Sequence, residues 1–287
     1  MNNKSNIKPS WHCMLVGTLK AYKNYLYPDA NDKITASLIA EKEIFKGGWD
    51  KSERFVLDLM KKFIQEQASS VTTSWFLDVG CGTGRLLPEF ERYFDYILAI
   101  DPDFSQIEKA KDLVKNHKFA NKLTFRVTPI EELDWKGESI DVILCSHVLQ
   151  HVNTDSVLLI LQKFRDLVKK EGLLLITTCH SRRGYDYYAK GYLKCSKVIE
   201  ERIEKEEFNS LIFNEENILP HHFFSPKSIT EVLENLGFRL LNFRVFHVLG
   251  KMSVLDKIID MDHLVNSMDF LKTRLGRDML LIAQKTG

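Results

Sequence analysis

The chain has 287 residues, and its 44% hydrophobic and 28% charged content allows a large buried core and argues against general disorder. Its formal net charge of +1 gives no general electrostatic attraction towards nucleic acid or an anionic membrane. The five cysteines are scattered without a Cys-x-x-Cys pair, which argues against a disulfide framework and a bound metal. We see neither a signal-peptide pattern nor a run of about 18 apolar residues, so we expect a cytoplasmic protein that does not span a membrane.

The first segment, residues 1–70, predicts a helical cap over the rest of the chain. The sequence KGGW at residues 46–49 predicts a break between helices. Asp50 is the predicted N-cap of a second helix, because Glu53 follows at the spacing of a capping box. Apolar residues at helical spacing come next. We expect this cap to lie over a ligand site of the core, with Trp49 near its edge.

From residue 74 the chain alternates between short apolar runs, typical of buried strands, and helix-forming stretches. Strands are expected over residues 75–80, 96–101, 123–127, 140–146 and 172–178. Helices are expected over residues 85–93, 105–115 and 155–168. This alternation predicts βαβ units and a parallel sheet that is covered on both faces.

The alternation ends near residue 180. Residues 181–224 are aromatic and charged without a strand period, and we interpret them as a lid inserted over a ligand site. The alternative is a helical insertion whose aromatic residues pack on the core. The charge run at residues 200–207 predicts a solvated helix face. Ser225 and Pro226 then begin another helix, as cap and first residue.

The remaining residues complete the predicted fold. Two further strands are expected over residues 238–249 and 278–285, with a polar helical stretch at 254–273. We therefore predict a Rossmann-like α/β fold of seven strands, mostly parallel, with helices on both faces. Its expected segments are a cap (1–70), a ligand-binding core (71–180), a lid insertion (181–224) and the C-terminal part of the core (225–287).

A glycine-rich loop carries the main functional signal. The sequence LDVGCGTG, residues 77–84, lies where a strand gives way to a helix. Glycines 80, 82 and 84 remove side chains where the backbone turns sharply and approaches a ligand, and the helix start favours a carboxylate or phosphate. Asp78 can accept a hydrogen bond from an ammonium group. A ligand with both an amine and a carboxylate fits this loop, and the methionine part of S-adenosylmethionine has both.

A second acid, Asp101, ends the next strand 19 residues after Gly82. A carboxylate at this place can accept hydrogen bonds from the two hydroxyls of a ribose. The rival nucleotide is NAD, whose fingerprint is G-x-G-x-x-G. Counted from Gly80, the third glycine of that fingerprint falls on Arg85, and counted from Gly82 the corresponding position is Leu87. The loop therefore favours S-adenosylmethionine, and NAD remains the minor alternative.

These motifs resemble those of the class I S-adenosylmethionine-dependent methyltransferases, and most closely the branch that methylates small molecules. The matching segments are DVGCGTG (78–84), AIDPD (99–103), DVILCSHVLQHV (141–152) and KKEGLLLITT (169–178). They correspond to the cofactor loop, the ribose-binding strand end, the fourth strand with its turn, and the fifth strand. The resemblance covers residues 74–180 well and 226–287 loosely. It implies that the last strand inserts antiparallel beside the fifth.

The resemblance also implies a set of cofactor contacts. These are Asp78, Gly80, Cys81, Gly82, Gly84, Asp101, Pro102, Ile130, Glu131, Cys145, Ser146 and Trp49. One departure concerns adenine, because the chain has Thr128-Pro129-Ile130 where the family often has Gly-Asp-Ala. The carboxylate that meets the adenine amine is missing, and Pro129 has no N–H to donate. We expect adenine to rest on the backbone of Ile130, with Glu131 or Glu132 nearby.

Two histidines follow the fourth strand. The spacing of His147 and His151 is similar to H-E-x-x-H, but Val148 stands where the catalytic glutamate of a metalloprotease would be. In similar methyltransferases this turn lies close to the sulfonium, and the residue matching His151 often faces the acceptor. His151 and His147 are therefore the catalytic candidates. The alternative is that both are polar residues that cap the end of a strand.

The lid insertion supplies the candidate substrate residues. We expect Tyr185, Tyr188, His222 and Phe223 to form a mostly apolar wall with a few polar groups, while the pair His221-His222 is interpreted as a chance neighbour pair. The predicted function is methyl transfer to an O, N or C nucleophile of a small, partly apolar molecule. A protein or RNA methyltransferase and a catalytically inactive cofactor-binding regulatory subunit stay open as alternatives. The near-neutral charge disfavours RNA.

Overall fold

A computed structural model describes residues 46–67, 74–194, 197–211, 218–248 and 260–287. Residues 1–45, which form most of the expected cap, lie outside the described residues, as does the side chain of Trp49. The described helices and strands are, in chain order, α1 (Lys46–Gln67), β1 (Trp75–Val79), α2 (Leu87–Phe90), β2 (Tyr96–Asp101), α3 (Phe104–Val114), β3 (Leu123–Val127), β4 (Ile140–Ser146), α4 (Thr154–Leu167), β5 (Val168–Cys179), β6 (Tyr187–Lys194), β7 (Lys197–Ile203), α5 (Lys205–Ser210), β8 (Ile218–Phe223), α6 (Pro226–Asn235), β9 (Phe238–Phe246), α7 (Met261–Asn266), α8 (Asp269–Lys272) and β10 (Asp278–Lys285).

The main sheet has seven strands in the order β3-β2-β1-β4-β5-β10-β9. Strands β1 to β5 pair in parallel, whereas β10 runs antiparallel to both β5 and β9. The predicted Rossmann-like sheet is confirmed, including the last strand beside the fifth. Strand β1 lies between β2 and β4. The chain runs from β1 to β2 and β3 on one side of β1 and then crosses to β4 on the other side. This reversal places a crevice at the carboxyl ends of these strands.

Helices cover the sheet on both faces. One apolar layer contains Phe164 of α4 and Leu233 of α6, and the other contains Met60 of α1 and Phe90 of α2. Successive residues of β10 alternate between the two layers, and all of its residues from 279 to 283 are buried and apolar. A strand that is buried on both faces carries a continuous apolar run, and these runs allowed the central strands to be located from the sequence.

Helix α1 differs from its prediction at the start. The helix includes the sequence KGGW and continues past Asp50, so the predicted break and capping box are wrong. The side chains of Val56, Leu57, Met60 and Ile64 are each at most 5% exposed and pack into the core. Burying each aliphatic side chain is worth about 1.5–3 kcal/mol, more than the roughly 1 kcal/mol that a glycine costs in a helix. Tertiary packing therefore extends the helix through the glycines.

The insertion forms a second sheet of three antiparallel strands in the order β7-β6-β8. The expectation of no strand, and the alternative of a helical insertion, are wrong. The charge run at residues 200–207 is also not one helix, because β7 extends to Ile203 and α5 begins at Lys205. Strand β7 is an edge strand, and its charged residues keep an apolar period from showing in the sequence.

Candidate cofactor and acceptor site

The glycine loop after β1 adopts the conformation that its sequence predicts. Glycines 80, 82 and 84 have φ angles of +67°, +52° and +76°, which favour glycine over any residue with a side chain. A Cβ on Gly80 would lie 2.3 Å from Cγ2 of Val148, whereas a Cβ on Gly82 would have no neighbour within 4 Å. The loop thus packs tightly against the turn after β4 at Gly80 and leaves space for a ligand at Gly82.

Asp101 is fixed at the end of β2. Its Oδ2 accepts from the backbone N–H of Gly82 at 3.0 Å, and its Oδ1 accepts from that of Asp103 at 2.9 Å. Burial raises the pKa of Asp101 to about 6, against which the two backbone hydrogen bonds act. Each oxygen keeps a further lone pair, so the carboxylate can still accept from hydroxyl groups beside the loop.

Asp78 is a buried carboxyl that lacks a partner at one oxygen. Its Oδ2 makes no hydrogen bond within the described part of the protein, and its side chain is only 2% exposed. Burial, together with the charge of Asp101, raises its pKa to about 7. A ligand ammonium group would supply the missing donor and stabilise the charged carboxylate. The residues present therefore fit the amine of S-adenosylmethionine.

The other predicted cofactor residues lie around the same edge. Cys145 of β4 pairs with Val79 of β1, and the next residue, Ser146, hydrogen-bonds to Thr177 with 2.9 Å between their side-chain oxygens. The backbone N–H of Thr128 donates to the carbonyl of Asp101 at 3.1 Å, which brings the turn that contains Ile130 beside β2. Cys81 and Cys145 are both buried. Glu131 lies in the same short turn as Ile130, and Pro102 directly follows Asp101.

His147 follows β4 with a φ of +55°, an uncommon conformation for a residue with a side chain. The backbone N–H of Cys179 donates to Oε1 of Gln150 at 3.2 Å, which fixes the orientation of that amide. The amide nitrogen of Gln150 therefore donates to Nδ1 of His147, at 3.1 Å. Burial lowers the pKa of His147, so the ring is neutral near pH 7 and carries its proton on Nε2. His147 consequently presents an N–H donor.

His151 links the core to the lid. Its Nδ1 donates to the carbonyl oxygen of Pro220 in β8 at 2.7 Å, and its ring lies 5.1 Å from that of His221. Burial lowers its pKa to about 4, although the hydrogen bond to Pro220 opposes this shift. This contact belongs to the docking of the lid, and the catalytic role of His151 stays a prediction.

The four predicted substrate residues do not share one face of the lid. Tyr188 and His222 lie on one face with their rings 4.6 Å apart, and Nε2 of His222 bonds Asp186 at 2.9 Å. Phe223 lies on the other face and stacks on Tyr187 at 4.5 Å. Tyr185, in the preceding loop, is 48% exposed. The second face also packs on Cys179, at the end of β5.

Sequence reasoning missed a buried pair at the same edge. Nδ1 of His247, just after β9, lies 2.6 Å from Oδ2 of Asp278 at the start of β10. Burial would raise the pKa of Asp278, but the hydrogen bond from His247 and the nearby positive charge of Arg277 hold it well below its usual range. The two residues are 31 positions apart in the sequence, and only the antiparallel pairing of β9 and β10 brings them together.

Within the described ranges of the chain, no group of three or more His, Cys, Asp or Glu side chains is arranged to hold a metal ion. Within the same ranges, every helix is too short or too polar to cross a membrane.

Comparison with known proteins identifies the family. A family model described as a methyltransferase domain matches residues 51–242. Among curated proteins, a ubiquinone biosynthesis O-methyltransferase of Rhodopseudomonas palustris (strain BisB5) is 33% identical over 102 residues, which are 36% of this chain and 38% of that protein. One of Haemophilus ducreyi is 28% identical over 142 residues, covering 45% of this chain and 58% of that protein. The chain thus spans less than two thirds of these relatives.

Solved structures share the fold at low sequence identity. The 1,6-didemethyltoxoflavin-N1-methyltransferase of Burkholderia thailandensis has a TM-score of 0.52 at 14% identity, covering 88% of this chain and 90% of that one. A putative S-adenosylmethionine-dependent methyltransferase of Listeria monocytogenes has a TM-score of 0.53 at 16% identity, covering 84% and 100%. Because the family model spans more than half of the chain, the chain belongs to the methyltransferase family that this model describes.

Proposed function

We propose that the chain transfers a methyl group from S-adenosylmethionine to an O, N or C nucleophile of a small, partly apolar molecule. The observation that carries this proposal is the position of the lid sheet. Phe224 pairs with His180 at the end of β5, and Pro220 accepts from His151, so the lid packs on the strand ends beside the cofactor loop. A lid at this place encloses a small acceptor more readily than a polymer.

The relatives support a small acceptor. The curated relatives are named for an O-methylation in ubiquinone biosynthesis, and the Burkholderia thailandensis structure contains bound 1,6-didemethyltoxoflavin. The cofactor supplies a methyl carbon made electrophilic by the adjacent sulfonium. The part of this chain is to hold the nucleophile in line with that carbon at about 3–3.5 Å and to exclude water.

Within this proposal the cofactor contacts have distinct roles. Asp78 receives the ammonium, the loop at Gly82 lies against the methionine carboxylate, and Asp101 accepts from the ribose hydroxyls. The turn at Ile130 borders adenine. Trp49 stays a predicted contact at the edge of this site.

The first experiment separates the cofactor alternatives. Calorimetry should show binding of S-adenosylhomocysteine and none of NAD. Asp101→Ala should weaken binding at least about tenfold, because hydrogen bonds to a charged group are worth roughly 1.5–3 kcal/mol each. Binding of NAD without binding of S-adenosylhomocysteine would overturn the assignment.

The second experiment separates the acceptor classes. The protein is incubated with methyl-labelled S-adenosylmethionine and, in parallel, a metabolite extract, a protein fraction and total RNA. We expect label in the metabolite fraction. Label confined to protein or RNA would reject the small acceptor, and cofactor binding without transfer to any fraction would indicate a regulatory subunit.

A further inference from the structure

Positive charge is concentrated at one place on the lid, although the whole chain has a formal net charge of only +1. Arg182 and Arg183 lie in the loop between β5 and β6, and Arg202 lies on β7. The guanidinium carbon of Arg183 lies 5.5 Å from the centre of the Tyr187 ring, and that of Arg202 lies 6.0 Å from the same centre. Two cations therefore share one aromatic ring.

Arg183 and Arg202 also share a hydroxyl group. Nη1 of Arg202 donates to the hydroxyl oxygen of Tyr185 at 3.5 Å. Hydrogen bonds from Arg183 and from Arg202 lower the pKa of Tyr185. Two guanidinium groups that meet at one neutral phenol repel each other. An anion placed between them would interact favourably with both and offset this repulsion.

Within the described ranges of the chain, no acidic side chain forms an ion pair with Arg183 or Arg202. Glu200 lies on the same face of β7 as Arg202, but it is paired with Arg277 at 2.7 Å. Glu201 lies on the opposite face of the lid sheet, because side chains alternate along a strand. The two arginines therefore keep an excess of positive charge that a ligand can neutralise.

The N–H groups of these arginines are available to a ligand. A guanidinium group that lies over an aromatic ring uses its flat face for that contact, whereas its five N–H groups point outward from its edge. Arg202 gives one N–H to Tyr185, and both Arg183 and Arg202 are exposed to solvent. The remaining N–H groups can bind a carboxylate or a phosphate through two parallel hydrogen bonds.

A short turn holds Arg183 beside the end of β5. The backbone N–H of Arg183 donates to Oγ of Ser181 at 3.4 Å, and the same hydroxyl donates to the carbonyl oxygen of Tyr185 at 2.5 Å. Gly184 closes the turn with a φ of +78°. Ser181 is fully buried, and its backbone N–H donates to the carbonyl oxygen of Phe224. The turn thus fixes one side of the arginine pair on the core.

Arg202 lies on the face of the lid that meets the core. It is directly opposite Ala189 of β6, which packs with Phe223 and Cys179 on that face. Phe223 stacks on Tyr187 with 4.5 Å between the ring centres and 5° between the ring planes. The arginine pair therefore adjoins a flat apolar surface at the carboxyl end of β5, on the edge of the main sheet that also carries the glycine loop.

We propose that Arg183 and Arg202 form a subsite for an anionic group, and that the methyl acceptor carries a carboxylate or a phosphate. This inference rests on the proposed methyl transfer and narrows its acceptor to an anionic, partly apolar molecule. The anion binds between the two guanidinium groups, and the apolar part lies against Tyr187 and Phe223. The nucleophile is directed towards the cofactor loop. Arg183 and Arg202 determine specificity and take no part in the chemical step.

The first test measures binding without turnover. Benzoate and benzamide have nearly the same shape and differ in charge, and phenyl phosphate presents the other anion. Their binding in the presence of S-adenosylhomocysteine is followed by NMR titration. At least one anion should bind more tightly than benzamide, and its affinity should fall as salt is added. The tighter of the two anions identifies the group that the subsite takes. If neither anion bound more tightly than benzamide, the proposal would be overturned.

Variants assign the binding to the arginine pair. Arg183→Gln and Arg202→Gln should each weaken binding of the preferred anion at least about threefold and leave benzamide unchanged, because charge-assisted hydrogen bonds are strong even though solvent screens exposed charges. Arg202→Lys should retain part of the affinity, since it keeps the charge and loses the paired donors. Arg239→Gln, at an exposed arginine of β9, is the matched control. Unchanged anion affinity in both glutamine variants of the pair would reject the subsite.

The last test concerns transfer. The metabolite extract is separated by anion exchange before incubation with methyl-labelled S-adenosylmethionine. Label should enter anionic metabolites, and Arg202→Gln should raise KM for that acceptor with little change in kcat. Label confined to uncharged metabolites would reject the subsite and leave the proposed function intact. Label in RNA that is lost in both Arg183→Gln and Arg202→Gln would overturn the small acceptor. Absence of label in every fraction would count against the proposed function, whereas the benzoate titration would still decide the subsite.

Discussion

Two buried carboxyls, Asp78 and Asp101, are the proposed polar contacts of the cofactor at the scale of single residues. Burial raises their pKa values from 3.8 to about 7 and about 6. The folded state therefore keeps protons that the unfolded state loses. The resulting stability is fully present below pH about 4 and is lost as the pH rises through about 6 to 7. An ammonium group bound at Asp78 would favour the ionised form of this carboxyl, so we expect cofactor binding and the titration of Asp78 to be coupled.

We predict that the affinity for S-adenosylhomocysteine rises with pH between about 5.5 and about 7.5, because Asp78 must ionise to pair with the ligand amine. Calorimetry at a series of pH values measures this dependence. Asp78→Asn should bind more weakly and show a flatter profile. Asp112→Asn, an exposed carboxyl of α3, is the matched control. An unchanged pH profile in Asp78→Asn would contradict the assignment of the amine to Asp78.

Helix α1 shows at the scale of elements how packing decides what a local pattern leaves open. The glycines at residues 47–48 predicted a break, yet the helix continues through them. The apolar side chains of α1 pack into one layer of the core. In its second turn, Oγ of Ser52 accepts a hydrogen bond from the backbone N–H of His247, just after β9. The expectation that the N-terminal segment covers the cofactor stays a prediction, because residues 1–45 lie outside the described part of the chain.

Met60→Ala tests whether α1 is part of the core. Met60 is 1% exposed, and its truncation should lower the free energy of unfolding by about 2–5 kcal/mol. Lys62→Ala, two residues along on the exposed side, should change it by no more than about 0.5 kcal/mol. Both are measured by chemical denaturation. Equal stability of the two variants would mean that α1 is separable from the sheet.

At the scale of the whole molecule, the main sheet and the lid sheet meet at the carboxyl ends of β4 and β5. His151 contacts Pro220, and Arg277 pairs with Glu200 of β7 at 2.7 Å. The face of the lid that carries Tyr187 and Phe223 is the one that meets the core. The sequence analysis predicted that Tyr188 contacts the acceptor. Tyr187 is the better candidate, because it lies on the face of the lid that meets the core, whereas Tyr188 lies on the opposite face.

Tyr187→Ala and Tyr188→Ala form a matched pair that differs in face. Tyr187→Ala should lower kcat/KM for the acceptor, since it removes part of the wall nearest to β5. Tyr188→Ala should mainly lower the melting temperature, because its ring packs on Phe208 and His222. Transfer rates at low acceptor concentration and thermal melts measure both. If Tyr188→Ala lowered kcat/KM and Tyr187→Ala mainly lowered the melting temperature, the acceptor would instead be assigned to the face of the lid that carries Tyr188.

The sequence by itself determined the positions of the central strands, their parallel direction, the glycine loop and the two candidate acids, Asp78 and Asp101. These features are local: a strand buried on both faces reads as an apolar run, and the positive φ angles of the loop admit little but glycine. The lid strands escaped prediction because the residues of the exposed edge strand β7 carry charges, which hide a period of two.

Only the tertiary structure decided which distant polar residues meet. Asp278 reaches His247 because β10 inserts antiparallel between β5 and β9, and Gln150 sets the proton of His147 because it reaches Cys179 on the neighbouring strand. Hydrogen-bond partners across a sheet depend on strand order and register, which are set by the packing of the whole core and not by spacing along the chain. For that reason the glycine loop could be identified from the sequence, whereas the contacts of His247 with Asp278 and of Gln150 with His147 could be identified only from the fold.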